Sequence, residues 1–127
     1  MAPQAAAERR ARGRCAELAV ADYLFARGFA VVAGNLRLGA LELDLVARRG
    51  GLVVVVEVRT RAGGSFEGPF ASIRAAKRRR LVRAVDRLWR ERLAASPTVE
   101  RVRIDVAAVT FDEGQTRVEY VEGAICG

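Results

Sequence analysis

The 127-residue sequence contains no histidine. Ser-His-Asp and Cys-His catalysis, histidine-ligated zinc and every nuclease chemistry that depends on a histidine base are thereby excluded. Cysteine is almost as scarce: Cys15 and Cys126 lie far apart and form no CxxC pair, so neither a disulfide framework nor a cysteine zinc site is indicated. Both are expected to be ordinary thiols. No apolar run approaches the ~18 residues of a membrane span, and the Ala- and Arg-rich start lacks the apolar core of a signal peptide. A cytoplasmic protein with no membrane partner is expected. Aromatic residues make up 6% of the chain and are mostly needed for the core, which disfavours a platform that stacks unpaired bases. Carboxylates, Lys, Arg, Tyr and hydroxyls are what remain for chemistry. A hydrolase built from them activates water most simply through a metal held on Asp and Glu, the oxygen ligands that hard Mg²⁺ or Mn²⁺ prefers.

What is abundant is positive charge. Lys and Arg total 22 against 15 Asp and Glu, giving a net charge of +7 and a pI near 10.9, which favours a polyanionic partner. Hydrophobic residues make up 51% of the chain, enough for one continuous core at this length, so a single domain over residues 13–127 is expected behind a flexible basic arm, residues 1–12.

Hydrophobic spacing predicts a first helix over residues 14–27, with Leu18, Ala21, Leu24 and Phe25 as its apolar residues and Gly28 as its stop. Strands are predicted over residues 29–36, 41–48 and 52–60, with Gly50-Gly51 as the turn between the second and third. The run Leu52 to Val56 is apolar on both faces, as a central strand of an α/β sheet must be. Residues 62–70 hold three glycines and a proline and read as a loop. A second helix over residues 72–93 carries a stripe of Leu81, Val85, Leu88 and Trp89 and ends at Ser96-Pro97. Two further strands, 102–111 and 117–121, join around Asp112-Glu113-Gly114. The predicted fold is therefore α/β in the order α-β-β-β-α-β-β, with a mixed central sheet flanked by helices. The second helix makes the third and fourth strands parallel through a right-handed crossover.

With Gly50 and Gly51 central in the turn, Asp44 faces Glu57 and Glu42 faces Arg59, all four on one sheet face by period-two alternation. Val46 and Val55 continue that face as core. Opposed like charges sit only ~4.5–5.5 Å apart at Cβ and destabilise a sheet, a penalty that a divalent cation reverses. Glu42 with Arg59 reads as an ordinary ion pair, whereas Asp44 with Glu57 on an apolar strand pair points to function.

Both helices offer supporting residues. Glu17 shares the stripe of Val20, Ala21 and Leu24 and points an acid toward the sheet; the alternative role is a favourable charge near the helix start. Lys77 is in register with Leu81, Ala84 and Leu88, so its stem can lie on the core while its amine snorkels out. Lys77, Arg78, Arg79, Arg80 and Arg83 place positive charge in the first half of the second helix, where the helix dipole disfavours it and a phosphate would relieve it. A solvated basic face is the bland alternative.

At these residues the sequence resembles the YraN-like bacterial family of restriction-endonuclease-like proteins, relatives in fold of archaeal Holliday-junction resolvases. The resemblance covers nearly the whole chain after the arm. It is carried by Gly13 with Glu17, Gly28-Phe29, Asn35-Leu36-Arg37, Glu42-Leu43-Asp44-Leu45, Glu57-Val58-Arg59-Thr60-Arg61, Lys77 with Arg79 and Arg80, and Arg103-Ile104-Asp105-Val106. It implies a restriction-endonuclease-like fold and a metal-ion site in which Asp44 and Glu57 hold Mg²⁺, Glu17 assists, and a lysine two positions after Glu57 orients the attacking water. That last position is Arg59 here. The segment Gly39-Ala40-Leu41-Glu42 also departs, because the family places its glycine immediately before the glutamate. Arginine keeps the charge but stays protonated and is bulkier than lysine.

Three functions follow as expectations. The first is a Mg²⁺- or Mn²⁺-dependent endonuclease-like protein acting on DNA, with Asp44 and Glu57 as metal ligands, Glu17 or Glu42 completing the shell, and Arg59 and Lys77 at the scissile phosphate. The second is a nucleic-acid-binding protein of the same fold in which Arg59 has ended catalysis. The third is a basic scaffold that docks an acidic protein or an anionic membrane surface. A homodimer through the exposed strands 29–36 or 117–121 is one arrangement the sequence allows.

Overall fold

The computed structural model describes residues 3–62 and 73–125. Helix α1 spans Pro3–Ala26, followed by strands β1 (Ala30–Leu38), β2 (Leu41–Arg49) and β3 (Leu52–Ala62). Helix α2 (Ala75–Leu88) continues into a π-helical turn, Trp89–Leu93, and leads to β4 (Arg101–Asp112) and β5 (Gln115–Ile125). The five strands form one sheet in sequence order, antiparallel except for the parallel pair β3 and β4. The predicted α/β order and mixed sheet with two helices are thus observed. No helix among the described residues is long and apolar enough to cross a membrane.

The two helices cover opposite faces of the sheet. Ala16, Val20 and Leu24 of α1 pack with Leu45, Ala47, Val54, Val56, Ala107 and Val109. Leu81, Ala84 and Leu88 of α2 pack with Val46, Val53, Val55, Ile104 and Val106. Alternation along β3 therefore sends Val53 and Val55 to one helix and Val54 and Val56 to the other, all four buried. The central-strand reading of this run is confirmed.

Several sequence expectations are corrected. The first helix, predicted from residue 14, begins at Pro3 and is continuous to Ala26. Its long Ala content supports helix without needing a partner face. The buried face of α1 is the i, i+4, i+8 row Ala16, Val20 and Leu24, while Leu18 is 66% and Phe25 79% exposed. Small Ala16 allows the close approach to the sheet that a larger residue there would prevent. On α2 the buried row is Leu81, Ala84 and Leu88, with Val85 and Trp89 only half-buried. Gly28 does end α1, at φ +86°, with Phe29 N–H donating to Leu24 O at 3.0 Å. The expected loop 62–70 begins as strand at Ala62, and its remainder lies outside the described residues, as do the start of the helix expected at Ser72 and the thiol of Cys126. Cys15 is an exposed free thiol.

The β2–β3 register is the one the Gly50-Gly51 turn dictates: Arg49 pairs with Leu52, Val46 with Val55 and Leu45 with Val56. The paired ladder ends there. Beyond it β2 stays with β1, where Glu42 pairs with Arg37 rather than with Arg59. Alternation resets at this level. Leu43 and Val46, three residues apart, join the same α2-side cluster, as do Ala33 and Leu36 on β1. Asn35, between the latter two, has φ +49°, and a left-handed residue inside a strand turns the following side chains over. The expected Glu42–Arg59 ladder pair is not formed because the β2–β3 ladder ends at Leu45 with Val56 before reaching it.

Candidate functional site

The end of the β2–β3 ladder leaves a strand donor for a side chain. Val58 N–H, which a continuing ladder would give to a β2 carbonyl, donates instead to Asp44 Oδ2 at 2.9 Å. Asp44 thus acts as a side-chain extension of β2. Glu57, one residue earlier on β3, is 4% exposed and lines the same cleft as Asp44. Lys77 Nζ, from the first turn of α2, lies 2.6 Å from Glu57 Oε1.

These groups line a cleft of about 310 Å³ bounded by Ala40, Leu41, Glu42, Asp44, Glu57, Lys77, Arg80 and Leu81. Its rim, the β1–β2 turn, is fastened to α2 by Arg87, whose Nη1 donates to Leu38 O at 3.1 Å. Gly39, at φ +67°, makes room for that guanidinium: a Cβ there would lie 2.5 Å from Arg87 Nη1. A larger, mainly apolar cleft of about 580 Å³ lies between α2, β4 and β5, lined by Val82, Val102, Ile104 and Ile125 among others. It contains none of the paired carboxylates, and chemistry favours the smaller one.

Burial, and after it the neighbouring Glu57 charge, pushes the Asp44 carboxyl up from 3.8 to about 7, against the opposing effect of the Val58 N–H. The raised Asp44 carboxyl thus lies beside the buried Glu57, on which the ammonium of Lys77 rests. Two neighbouring carboxylates in one cleft suit a hard divalent cation, and the ammonium on Glu57 already occupies a cation's place there.

Of the residues singled out in the sequence, Asp44, Glu57, Lys77, Arg80 and Glu42 meet at this cleft. Glu17 does not. It projects from α1 on the other side of the sheet, where Asn35 Nδ2 donates to its Oε2 at 3.1 Å. Asn35 sits between Gly34 and Leu36, which pair with Leu45 and Leu43, so Glu17 reaches the strand level of Asp44 from the opposite face. Among the described residues no three carboxylate or thiol groups gather as one cluster. Arg78, Arg79 and Arg83 are exposed along α2, whose first turn has no acidic residue and whose N-cap, Arg74, makes no side-chain capping bond. Arg59 lies on β3 past the end of the β2 ladder, at the level of Ala108 on β4.

A second buried acid was not anticipated from the sequence pattern. Asp105 on β4 is fully buried and accepts from Arg103 Nε at 2.8 Å, Arg103 Nη2 at 3.0 Å, Tyr120 Oη, and Gly123 N–H at 2.8 Å. Burial and the bond to Asp105 raise the Tyr120 phenol well above its usual range, and Asp105 raises the Arg103 guanidinium. The ring of Tyr120 stacks on Tyr23 of α1 with centroids 4.9 Å apart. The register of β4 with β5 shifts between Ile104 and Val106, and Gly123, at φ +60°, belongs to the resulting bulge. An acid alternating with Ile104 and Val106 was a usable signal that some buried partner set existed; the partners themselves come from β5.

The sequence profile described as Uncharacterised protein family UPF0102 matches residues 16–109. The chain is 47% identical over 121 residues to a UPF0102 protein of Sorangium cellulosum, spanning 94% of this chain and 84% of that one. It is 40% identical over 119 residues to a UPF0102 protein of Anaeromyxobacter dehalogenans, spanning 94% and 87%. A UPF0102 protein of Symbiobacterium thermophilum is 37% identical over 113 residues, spanning 88% and 93%.

Proposed function

The chain belongs to the UPF0102 family, and from that footing we propose that it is a restriction-endonuclease-like protein that binds DNA and hydrolyses its phosphodiester bonds with Mg²⁺ or Mn²⁺. The observation that carries this reading is that Asp44 and the buried Glu57 line one cleft together with Lys77 and Arg80. Burying a carboxylate beside another is costly unless a cation joins them. The α-β-β-β-α-β-β order, with the acids at the end of the central hairpin, supports the fold assignment.

In this reading Asp44 and Glu57 hold the metal, which when bound polarises the phosphate and supplies a nucleophilic water. Glu42, on the cleft rim, accepts a proton or a hydrogen bond from water at the mouth. Arg80, with Arg78, Arg79 and Arg83 along the exposed side of α2, binds backbone phosphates near the positive end of the helix dipole. Arg59 adds a fixed positive charge on β3 and Glu17 orients Asn35 behind the strand that carries Asp44. A second reading, a DNA binder of the same fold without cleavage, is favoured by Arg59, because a guanidinium that stays protonated cannot serve as a base.

The test is a calorimetric Mn²⁺ titration of the wild type and of Asp44→Ala/Glu57→Ala, followed by incubation of linear and branched DNA with Mg²⁺ or Mn²⁺. Saturable heat and metal-dependent cleavage, both lost in the double variant, are expected. Heat with no cleavage of any DNA selects the second reading. Equal heats from the two proteins would remove the carboxylate pair from consideration as a metal site.

A further inference from the structure

The basic residues of this chain are 21 arginines and a single lysine, Lys77. Arg78, Arg79, Arg80 and Arg83 are exposed along α2. The one lysine is the residue whose head group rests on the buried Glu57, at 2.6 Å. Its side chain is 48% exposed while that of Glu57 is 5% exposed, so the ammonium plugs the cleft from the solvent side. An ammonium is a compact point charge that can approach one carboxylate oxygen in the way a metal ion does, whereas a guanidinium is a wide planar fork.

We infer that Lys77 is a built-in counter-cation: its ammonium and the divalent cation are alternative occupants of Glu57, and loading the metal expels the lysine into the cleft mouth. The inference rests on the metal-site reading of Asp44 and Glu57. Geometry makes the exchange cheap for the fold. Both acids belong to the β2–β3 pair and remain in place, because Asp44 is tied to Val58 N–H. Lys77 belongs to α2 and stands one helical turn before the buried Leu81, so rotation of its own side chain suffices to vacate Glu57. Without metal the lysine relieves a buried charge that would otherwise be uncompensated. With metal, the displaced ammonium lies beside Arg80 at the cleft wall, where a phosphate oxygen is its natural partner. The lysine thereby reports metal loading to the nucleic-acid side of the cleft.

Two measurements test this. In calorimetric Mn²⁺ titrations at fixed pH and salt, Lys77→Met should bind about tenfold more tightly than the wild type because the competitor is gone. Arg80→Met, which removes one charge from the same wall without unpairing Glu57, should gain no more than about threefold. Equal or weaker binding by Lys77→Met overturns the inference while leaving the metal site intact. Absence of heat from every protein overturns the inference together with the reading it rests on. The second measurement uses the unaltered chain: as the only lysine, Lys77 gives a single internal acylation product by mass spectrometry. Its rate of modification by an amine-reactive ester should rise on adding Mg²⁺, and a rate that stays constant or falls at saturating Mg²⁺ overturns the exchange.

Discussion

Glu57 on β3 and Asp105 on β4 are buried acids on neighbouring parallel strands, one register step apart, and they point to opposite faces of the sheet. Asp105 accepts four hydrogen bonds, two of them from a single guanidinium, and its neighbours leave no room for anything else. Glu57 has one cationic partner reaching in from solvent and a second carboxylate beside it. The same residue class thus does two jobs. Where every lone pair is met by a donor from the fold, the acid fastens strands, here the bulge of β5 onto β4. Where like charges are held together under a cleft, the arrangement stores an unmet demand for positive charge.

This contrast can be broken from either side. The largest expected effect on stability is at the satisfied acid: Asp105→Ala leaves Arg103 and Tyr120 without their acceptor and should cost ~3–5 kcal/mol. Urea unfolding measures it, and a cost below about 1 kcal/mol would show that Asp105 is not the fastening of β5.

The opposite sign is expected at the cleft. Asp44→Asn keeps an oxygen for Val58 N–H and removes the charge that opposes Glu57. The folded Asp44 carboxyl titrates near 7 against an ordinary 3.8, so between those values the folded state binds more protons than the unfolded one. Wild-type stability attributable to this group is therefore retained at low pH and lost as pH rises from about 4 to 7. Metal-free Asp44→Asn should exceed the wild type by ~1–2 kcal/mol at pH 8 and match it near pH 4. Thermal melts across that range check the trend, and a destabilised Asp44→Asn at pH 8 would place Asp44 with Asp105 as a structural acid.

The smallest effect on folding is expected on the outer side of α2. Replacing Arg78, Arg79 and Arg80 with Ala should alter stability by no more than about 0.5 kcal/mol per site. The same change should weaken DNA binding and lower the slope of log affinity against log salt by roughly 2–3. An unchanged slope would take these arginines off the phosphate path.

Much of this architecture was legible in the chain. The two-faced apolar run Leu52 to Val56 can only be a central strand, and Gly50-Gly51 sets the register that brings Asp44 toward Glu57, because a two-residue turn leaves no freedom in pairing. The stop at Gly28 follows equally from local geometry. The outward face of α1 was misassigned because Leu18, Leu24 and Phe25 are equally apolar, and only docking on the sheet selects the row that begins with Ala16.

Local pattern therefore determined the elements, their order, the mixed sheet and the pairing of two acids, since each depends on residues close in sequence or on a single tight turn. Tertiary structure decided the rest. The β2–β3 ladder ends at Leu45, Glu42 pairs with Arg37 on β1, and Val58 N–H is left for Asp44. Packing of α2 sets Lys77 on Glu57, and the β5 bulge completes the donors around Asp105. The three side-chain contacts join residues 14 to 20 positions apart, and no periodicity encodes where a side chain ends once a ladder has stopped or a helix has docked.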